Sequence, residues 1–259
     1  MLGIAIGVSV QIYVGSLIGA LQNDLVEGTV GNSSQITIVP SKDNETFANW
    51  QDIVLKAREN PSVTVASPCA DINGFATISN RTLPVLARGV LYEDAKNVYS
   101  LEGAIVNGAA TLESGKTLLG LGLAEELGTG VGDDIHFVLP NGTSYTLTVS
   151  AIFDLKVSSI NSRWLFVSLD WAQKTSNIGD TVTSIEIKVA QVFEAKSVSS
   201  KLVSTIQRND IQITNWEDEN VQLLSALSAQ SASSYMIQVF VMISVAVSYT
   251  HLTLPTKRI

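Results

Sequence analysis

The first charged side chain in this sequence is Asp24, and Leu2 to Leu21 is an uncharged run of 20 residues. As a helix that run is about 30 Å long, the thickness of one bilayer core. A cleaved signal peptide would want a basic start, a shorter apolar centre and a small-residue cleavage site. This run has no basic start and is longer. A second uncharged run, Tyr235 to Val247, has 13 residues. It is too short to span a bilayer alone, but the uncharged stretch 227–234 before it can lengthen it. All 24 acids lie between Asp24 and Glu219 with 14 of the bases, so the stretch between the runs carries −10. The expected layout is a transmembrane helix at 1–23, a large acidic domain, then a stalk and the start of a second transmembrane helix at 219–247.

Only 15% of the residues are charged, against about 25% in an average soluble domain. The acidic balance excludes nucleic acid as the expected partner, because no basic patch is available to displace counterions. The single cysteine, Cys69, leaves no disulfide framework and no multi-cysteine metal site. Histidine is equally scarce, at His136 and His251.

Gly3, Gly7, Gln11, Gly15 and Gly19 recur every four residues in the first run. That spacing puts small or polar groups along one helical ridge, where a second helix can approach closely in lipid. The last residues, SYTHLTLPTKRI, read differently: Thr250, His251, Thr253, Pro255 and Thr256 are expected to break the helix. The string resembles a translated library adapter, so 248–259 is expected to be a non-native tail on a chain truncated within its second membrane helix.

Between the runs, two stretches share one pattern. Gln35 to Val39 reads as a strand, Trp50, Ile53, Val54 and Ala57 as one face of a helix stopped at Asn60-Pro61, and Val63 to Ala66 as a strand. Ser184 to Val189 alternates Ile185, Ile187 and Val189 against Glu186 and Lys188. A helix with Ala195, Val198, Leu202 and Ile206 inward follows, then a strand at Ile211 to Thr214. Two such βαβ units at opposite ends predict an α+β fold with a ferredoxin-like layer over 24–90 and 181–218. A β-rich subdomain at 91–180 is expected as an insertion. Hairpins are expected around Asn80-Arg81 and through Pro140-Asn141-Gly142, where Asn-Gly suits a type I′ turn. Trp164 to Ser168 adds a strand, and Leu121 to Leu127 a short helix ended by Gly128. From Glu217 onward a single helix could enter the membrane, with a joint at Ser231–Ser234 as the alternative.

Catalytic chemistry is thin. Gly115-Lys116-Thr117 matches the end of a phosphate-binding loop, but Ala110 stands where that loop needs glycine. Alternation turns His136 away from Ile135 and Phe137, as an exposed strand residue. Asp133-Asp134 and Glu217-Asp218-Glu219 lack the spacing of a calcium loop. No catalytic residue, cofactor or metal ligand is expected.

Leu118 to Ile135, LLGLGLAEELGTGVGDDI, resembles the extracytoplasmic core domain of MacB/FtsX-type ABC transporter permeases. The matching residues are Gly120, Leu123, Ala124, Leu127, Gly128, Gly132 and Asp133. They read as structural positions: a buried helix face, a left-handed C-terminal glycine and a turn. The likeness extends from Leu2 to about Val247, through Arg163–Ala172, Ile185–Val189 and Trp216–Asp218, and is greatest to the lipoprotein-releasing branch. It implies a non-catalytic membrane subunit with a porter-like subdomain. Its expected partners are a cytoplasmic ATP-binding subunit, a second permease subunit in a homo- or heterodimer, membrane lipid, and a lipoprotein or peptide cargo. Its expected location is the inner (cytoplasmic) membrane, with the main domain outside. An FtsX-like regulator of an extracytoplasmic hydrolase and a two-helix membrane sensor are the alternatives.

Overall fold

The computed structural model describes residues 2–30, 33–41 and 45–253, with side chains except at 2–8, 10, 11, 23, 25, 27–29, 245 and 248–253. In chain order the elements begin α1 (Leu2–Val30), β1 (Ile36–Pro40), α2 (Trp50–Arg58), β2 (Val63–Ile78), β3 (Arg81–Val90), α3 (Tyr92–Val98) and α4 (Leu101–Ala104). Next come β4 (Ile105–Gly108), β5 (Lys116–Gly120), α5 (Leu121–Leu127), β6 (Asp134–Val138), β7 (Ser144–Phe153), α6 (Ser158–Asn161) and β8 (Trp164–Ser168). The last are α7 (Leu169–Ser176), β9 (Ser184–Val189), α8 (Ala195–Ile206), β10 (Ile211–Asn215), α9 (Trp216–Glu219) and α10 (Val221–Thr253). Two compact units result: Val30–Asp218, and Met1–Thr29 with Glu219–Ile259.

In the first unit, four strands lie in the order β10-β1-β9-β2, every neighbour antiparallel. Helix α2 links β1 to β2 and α8 links β9 to β10, so each linked pair has a strand of the other pair between its members. Alternation puts Ile36, Ile38, Ile185, Ile187 and Ala66 on one face, all fully buried. Ile53, Val54 and Ala57 of α2 are buried, as are Ala195, Val198, Leu202 and Ile206 of α8. The opposite face is not open to solvent as alternation alone suggests. Glu186 is buried there, because α3 lies over β2 and β9.

Strand β2 outlasts this layer. Its second half pairs with β3, and the sheet continues through β8, β5 and β7. Strand β6 pairs with β7 and returns to β2 at Phe75↔Val138, which closes a ring of six strands. Two shorter strands are expected from the sequence where the fold has one. Pro68 is tolerated because pairing with β3 starts only at Cys69. Gly74 marks a close crossing: a Cβ there would lie 2.6 Å from the Phe137 ring.

The β6–β7 turn also differs from expectation. Only Gly142 of its three residues has a positive φ, 88°, whereas a type I′ turn needs two. Pro140 fixes its own φ near −65°, so the chain turns through Pro140-Asn141 and Gly142 takes the left-handed step. The Gly142 N–H donates to Leu139 O at 2.9 Å.

Gln35 organises the ends of this unit. Its side-chain amide donates to Val30 O (3.0 Å) and Ser33 O (2.7 Å) and accepts from Val189 N (3.0 Å). Its carbonyl accepts from Trp216 N at 2.9 Å.

In the second unit α1 and α10 run antiparallel, with Gly15 beside Gln238 and Gln22 beside Leu227 and Ser231. Ser231–Ser234 lie within α10. The interruption falls at Asn220, whose carbonyl accepts the first helical bond from Leu224 N at 3.1 Å. That is an N-cap's role, and asparagine favours it. Contrary to expectation, α10 continues through Thr250 and His251 to Thr253. Thr and His are only middling helix formers, not breakers. Pro255 and Thr256 lie outside the described residues.

Candidate functional site

Three places in the fold concentrate constraint. The first is the segment around α5. Gly120 ends β5 with φ −64° and ψ 142°. A Cβ there would sit 2.3 Å from Asn161 O, so only glycine lets the α6 segment pass this close. Asp154 fixes that segment, accepting from Lys156 Nζ (2.5 Å), Lys156 N (2.9 Å) and Asn161 Nδ2 (2.7 Å). The Lys156 ammonium, its backbone N–H and Asn161 together pull the Asp154 carboxyl down to about 2.

Leu123, Ala124 and Leu127 are 0%, 3% and 2% exposed and form the buried face of α5. Gly128 has φ 71°, and its N–H donates to Glu125 O at 3.2 Å while Thr129 N–H reaches Ala124 O at 3.0 Å. This bond pair is a Schellman cap. Gly132, at φ 93°, donates to Val149 O (2.8 Å), and Asp133 O accepts from Val149 N (2.9 Å). The Asp133 carboxylate is used inside its own turn, accepting from Gly130 N (2.8 Å) and Thr129 Oγ1 (3.2 Å). The motif is therefore a strut joining β5, α6 and β7.

The remaining sequence motifs sit apart from it. Lys116 pairs with Glu113 at 2.7 Å, and Thr117 is buried, donating to Phe166 O at 2.9 Å. His136 is exposed on β6, 3.4 Å from Thr146 Oγ1. Asp218 is held by Lys196 (3.1 Å) and Asn215 (2.7 Å), which lower its pKa in that order.

The second place is the seam between α1 and α10. Gly15 and Gly19 lie there; Gly3, Gly7 and Gln11 fall outside the residues whose side chains are described. Gln22 Nε2 donates to Ser231 Oγ (3.1 Å) and Leu227 O (3.3 Å). A cavity of about 240 Å³ is lined by Gly15, Ile18, Gly19, Gln22, Ser231, Ser234, Tyr235 and Gln238. The amide and hydroxyl groups that face Gly15 and Gly19 across the seam are not legible in the sequence. Those groups recur at 231, 234 and 238, a helical spacing hidden inside a serine-rich stretch.

The third was missed altogether. Arg88 on β3 is buried between two carboxylates. Its Nε and Nη2 donate to Asp71 at 2.8 and 2.7 Å, and its Nη1 to Glu186 (2.5 Å) and to Tyr99 Oη (2.8 Å). Tyr99 in turn donates to Glu186. The guanidinium stacks 4.0 Å from the centre of the Trp164 ring. Burial works against the Arg88 charge, but Glu186, Tyr99 and Asp71 outweigh it and hold its pKa above the ordinary arginine value. Burial pushes the neighbouring Cys69 thiol up, and Glu186 adds to the effect. The available signal was one arginine inside the apolar run Leu83–Val90.

Residues 1–205 match the MacB-like periplasmic core domain family, and the chain belongs to it. It is 27% identical over 242 residues to the lipoprotein-releasing system transmembrane protein LolC of Xylella fastidiosa, covering 89% of this chain and 57% of that protein. To the lipoprotein-releasing system transmembrane protein LolE of Haemophilus influenzae it is 24% identical over 229 residues, covering 83% and 55%. The chain thus spans less than two thirds of the length of these relatives. The crystal structure of the periplasmic region of MacB from Actinobacillus actinomycetemcomitans superposes with a TM-score of 0.55 at 14% identity, covering 77% of this chain and 95% of that one. At that identity the likeness is one of mixed α+β fold.

Proposed function

We propose that this chain is part of a non-catalytic permease subunit of an ABC transporter, passing the motion of a separate cytoplasmic ATPase to a domain outside the membrane for lipoprotein release or efflux. The observation that carries this is the polarity of the α1–α10 pair. Ile12, Tyr13, Leu17 and Leu21 are exposed on α1, as are Met236, Ile237, Val239 and Phe240 on α10. Glycines, serines and glutamines make up most of the seam's lining, with Ile18 and Tyr235 beside them. In water that arrangement is inside out; in lipid, apolar surface outward and small or polar groups between helices is the stable form. Among the described residues Val221–Ser244 is long and apolar enough to cross a membrane, and Ile12–Gln22 is a shorter apolar stretch.

On this reading both helices span the inner membrane. Gln22 and Ser231 meet in the seam of the spanning pair. The strand order β10-β1-β9-β2 supports a ferredoxin-like porter layer drawn from the two ends of the unit, and the strand ring, which takes in β3 and β2 from Cys69 as well as strands of 91–180, supports an inserted β-rich subdomain. The α5 motif serves structure, and the α1 ridge packs against other helices. The partners are a cytoplasmic ATP-binding subunit, a second permease subunit, lipid and a lipoprotein or peptide cargo.

Deleting the gene in its source organism tests the reading. The expected result is a lipoprotein or peptide that accumulates in the inner membrane, cleared by the intact gene with its ATPase and not with an ATPase-dead version. Loss of an extracytoplasmic hydrolase activity with no accumulating cargo would point to the FtsX-like role. A signalling module joined to the second helix in the full-length gene would overturn the permease reading for a sensor.

A further inference from the structure

The buried ionic cluster spans the joint of the Val30–Asp218 unit. Strand β2 is the strand common to both parts, pairing β9 through Cys69 and β3 from Cys69 onward. Arg88 stands on the ring side, Glu186 on the four-stranded side and Asp71 between them. Tyr99, which follows α3, closes the set. A second observation lies beside it: the hydroxyls of Ser67 and Ser184 are buried with no hydrogen-bond partner. Ser67 is directly opposite Glu186 across the β2–β9 ladder, and Ser184 is two residues before Glu186 on the same face. Buried hydroxyls without partners are rare and costly, and here both flank one carboxylate that is held elsewhere.

We propose that Arg88, Tyr99 and Glu186 form a latch that holds the strand ring rigidly to the four-stranded layer, and that Ser67 and Ser184 receive the Glu186 carboxylate when the latch opens. Arg88 is a positioning residue in this device. With the latch shut, Arg88 grips Asp71 through two nitrogens and Glu186 through a third, so the ring cannot pivot about β2. When Glu186 turns toward the serines, their two hydroxyls donate to it and replace the hydrogen bonds it gives up. Arg88 keeps its bidentate pair with Asp71. A joint with two satisfied arrangements is bistable, not loose. That this joint carries ATPase-driven motion rests on the permease reading; the latch itself does not.

Spin labels on Leu55→Cys in α2 and Thr143→Cys in the β6–β7 turn, both exposed positions, report the distance across the joint. Cys69 is buried and stays unlabelled. With the 259-residue chain in lipid nanodiscs, the otherwise unaltered protein should give one narrow distance. Arg88→Lys and Glu186→Gln should add a second distance while near-ultraviolet circular dichroism shows the tertiary fold intact. Adding Ser67→Ala and Ser184→Ala to Arg88→Lys should remove that second distance. A single unchanged distance in both Arg88→Lys and Glu186→Gln would overturn the latch. Persistence of the second distance without the serines would overturn their part in it. A cargo that fails to accumulate on gene deletion would sink the permease reading and leave these distances as they are.

Discussion

Replacing Gly120 with alanine isolates packing from backbone freedom. Its φ of −64° suits alanine, and stiffening the unfolded chain would favour the variant by about 0.4–1 kcal/mol. Against that stands the contact. The new Cβ would meet Asn161 O at 2.3 Å, Asn161 C at 2.8 Å and Asn161 Cα at 2.9 Å, all backbone atoms that cannot rotate away. Relief needs a shift of about 1 Å in the α6 segment, and overpacking of this kind costs about 1–3 kcal/mol. Moving Asn161 also strains its bonds to Leu155 N (3.0 Å) and Asp154 (2.7 Å), each worth about 1 kcal/mol. The expected net loss is about 2–4 kcal/mol, which for a domain of this size lowers Tm by about 4–16 °C. Thermal melting followed by near-ultraviolet circular dichroism, with Trp164 close to α6 as a reporter, measures it. A fall of less than about 1 °C, far below what the clash implies, would mean that the strut formed by Gly120 and Asn161 does not constrain the fold.

Gly128→Ala forces a side chain into the left-handed region and should cost about 1–2 kcal/mol by the same melt, with Gly128→Asn milder. Asp154 should titrate at about 2 by carboxyl-resolved NMR. Because its folded pKa lies below the unfolded value, its contribution is whole above about pH 4–5. It should fade as pH falls toward 2, and Asp154→Asn should abolish that part of the acid dependence. In the helix pair, cysteines at Gln22 and Ser231 should cross-link readily in membranes. Adding Gly15→Leu should cut the yield several-fold, since even a Cβ there lies 3.3 Å from Gln238 Nε2; an unchanged yield would contradict the close approach at Gly15.

Local pattern was readable wherever the driving interactions are local. The faces of α2, α5 and α8 follow from apolar spacing, and the end of α5 from Gly128. The two βαβ units follow from strand, helix and strand recurring at both ends of the domain. What could not be read depends on neighbours far away in the chain. Strand β5 escapes notice because Thr117, Leu118 and Leu119 are all fully buried, on both faces of the sheet, so it never shows alternation. Glu186 looks like the solvent side of a half-buried strand, and only the arrival of α3 buries it. Asp71, Tyr99 and Glu186 each sit in an ordinary context, Arg88 alone interrupts an apolar run, and nothing short-range links position 71 to 186. The β6–β7 turn departs from expectation for a local reason instead: Pro140 holds its own φ negative and leaves the left-handed step to Gly142 alone.

Gln35 has a consequence for how such a domain travels between proteins. One side chain and its carbonyl hold Val30 and Trp216, the two points where the chain enters and leaves the Val30–Asp218 unit. To a helix hairpin the whole unit then behaves as a short clip, not a long loop, and the closure entropy that a flexible insert of that length would demand is met by the unit's own folding. Replacing this glutamine should free the Val30 end alone, since the Trp216 bond is made by backbone and survives the change, and a module clipped at both ends becomes one tethered at its entry.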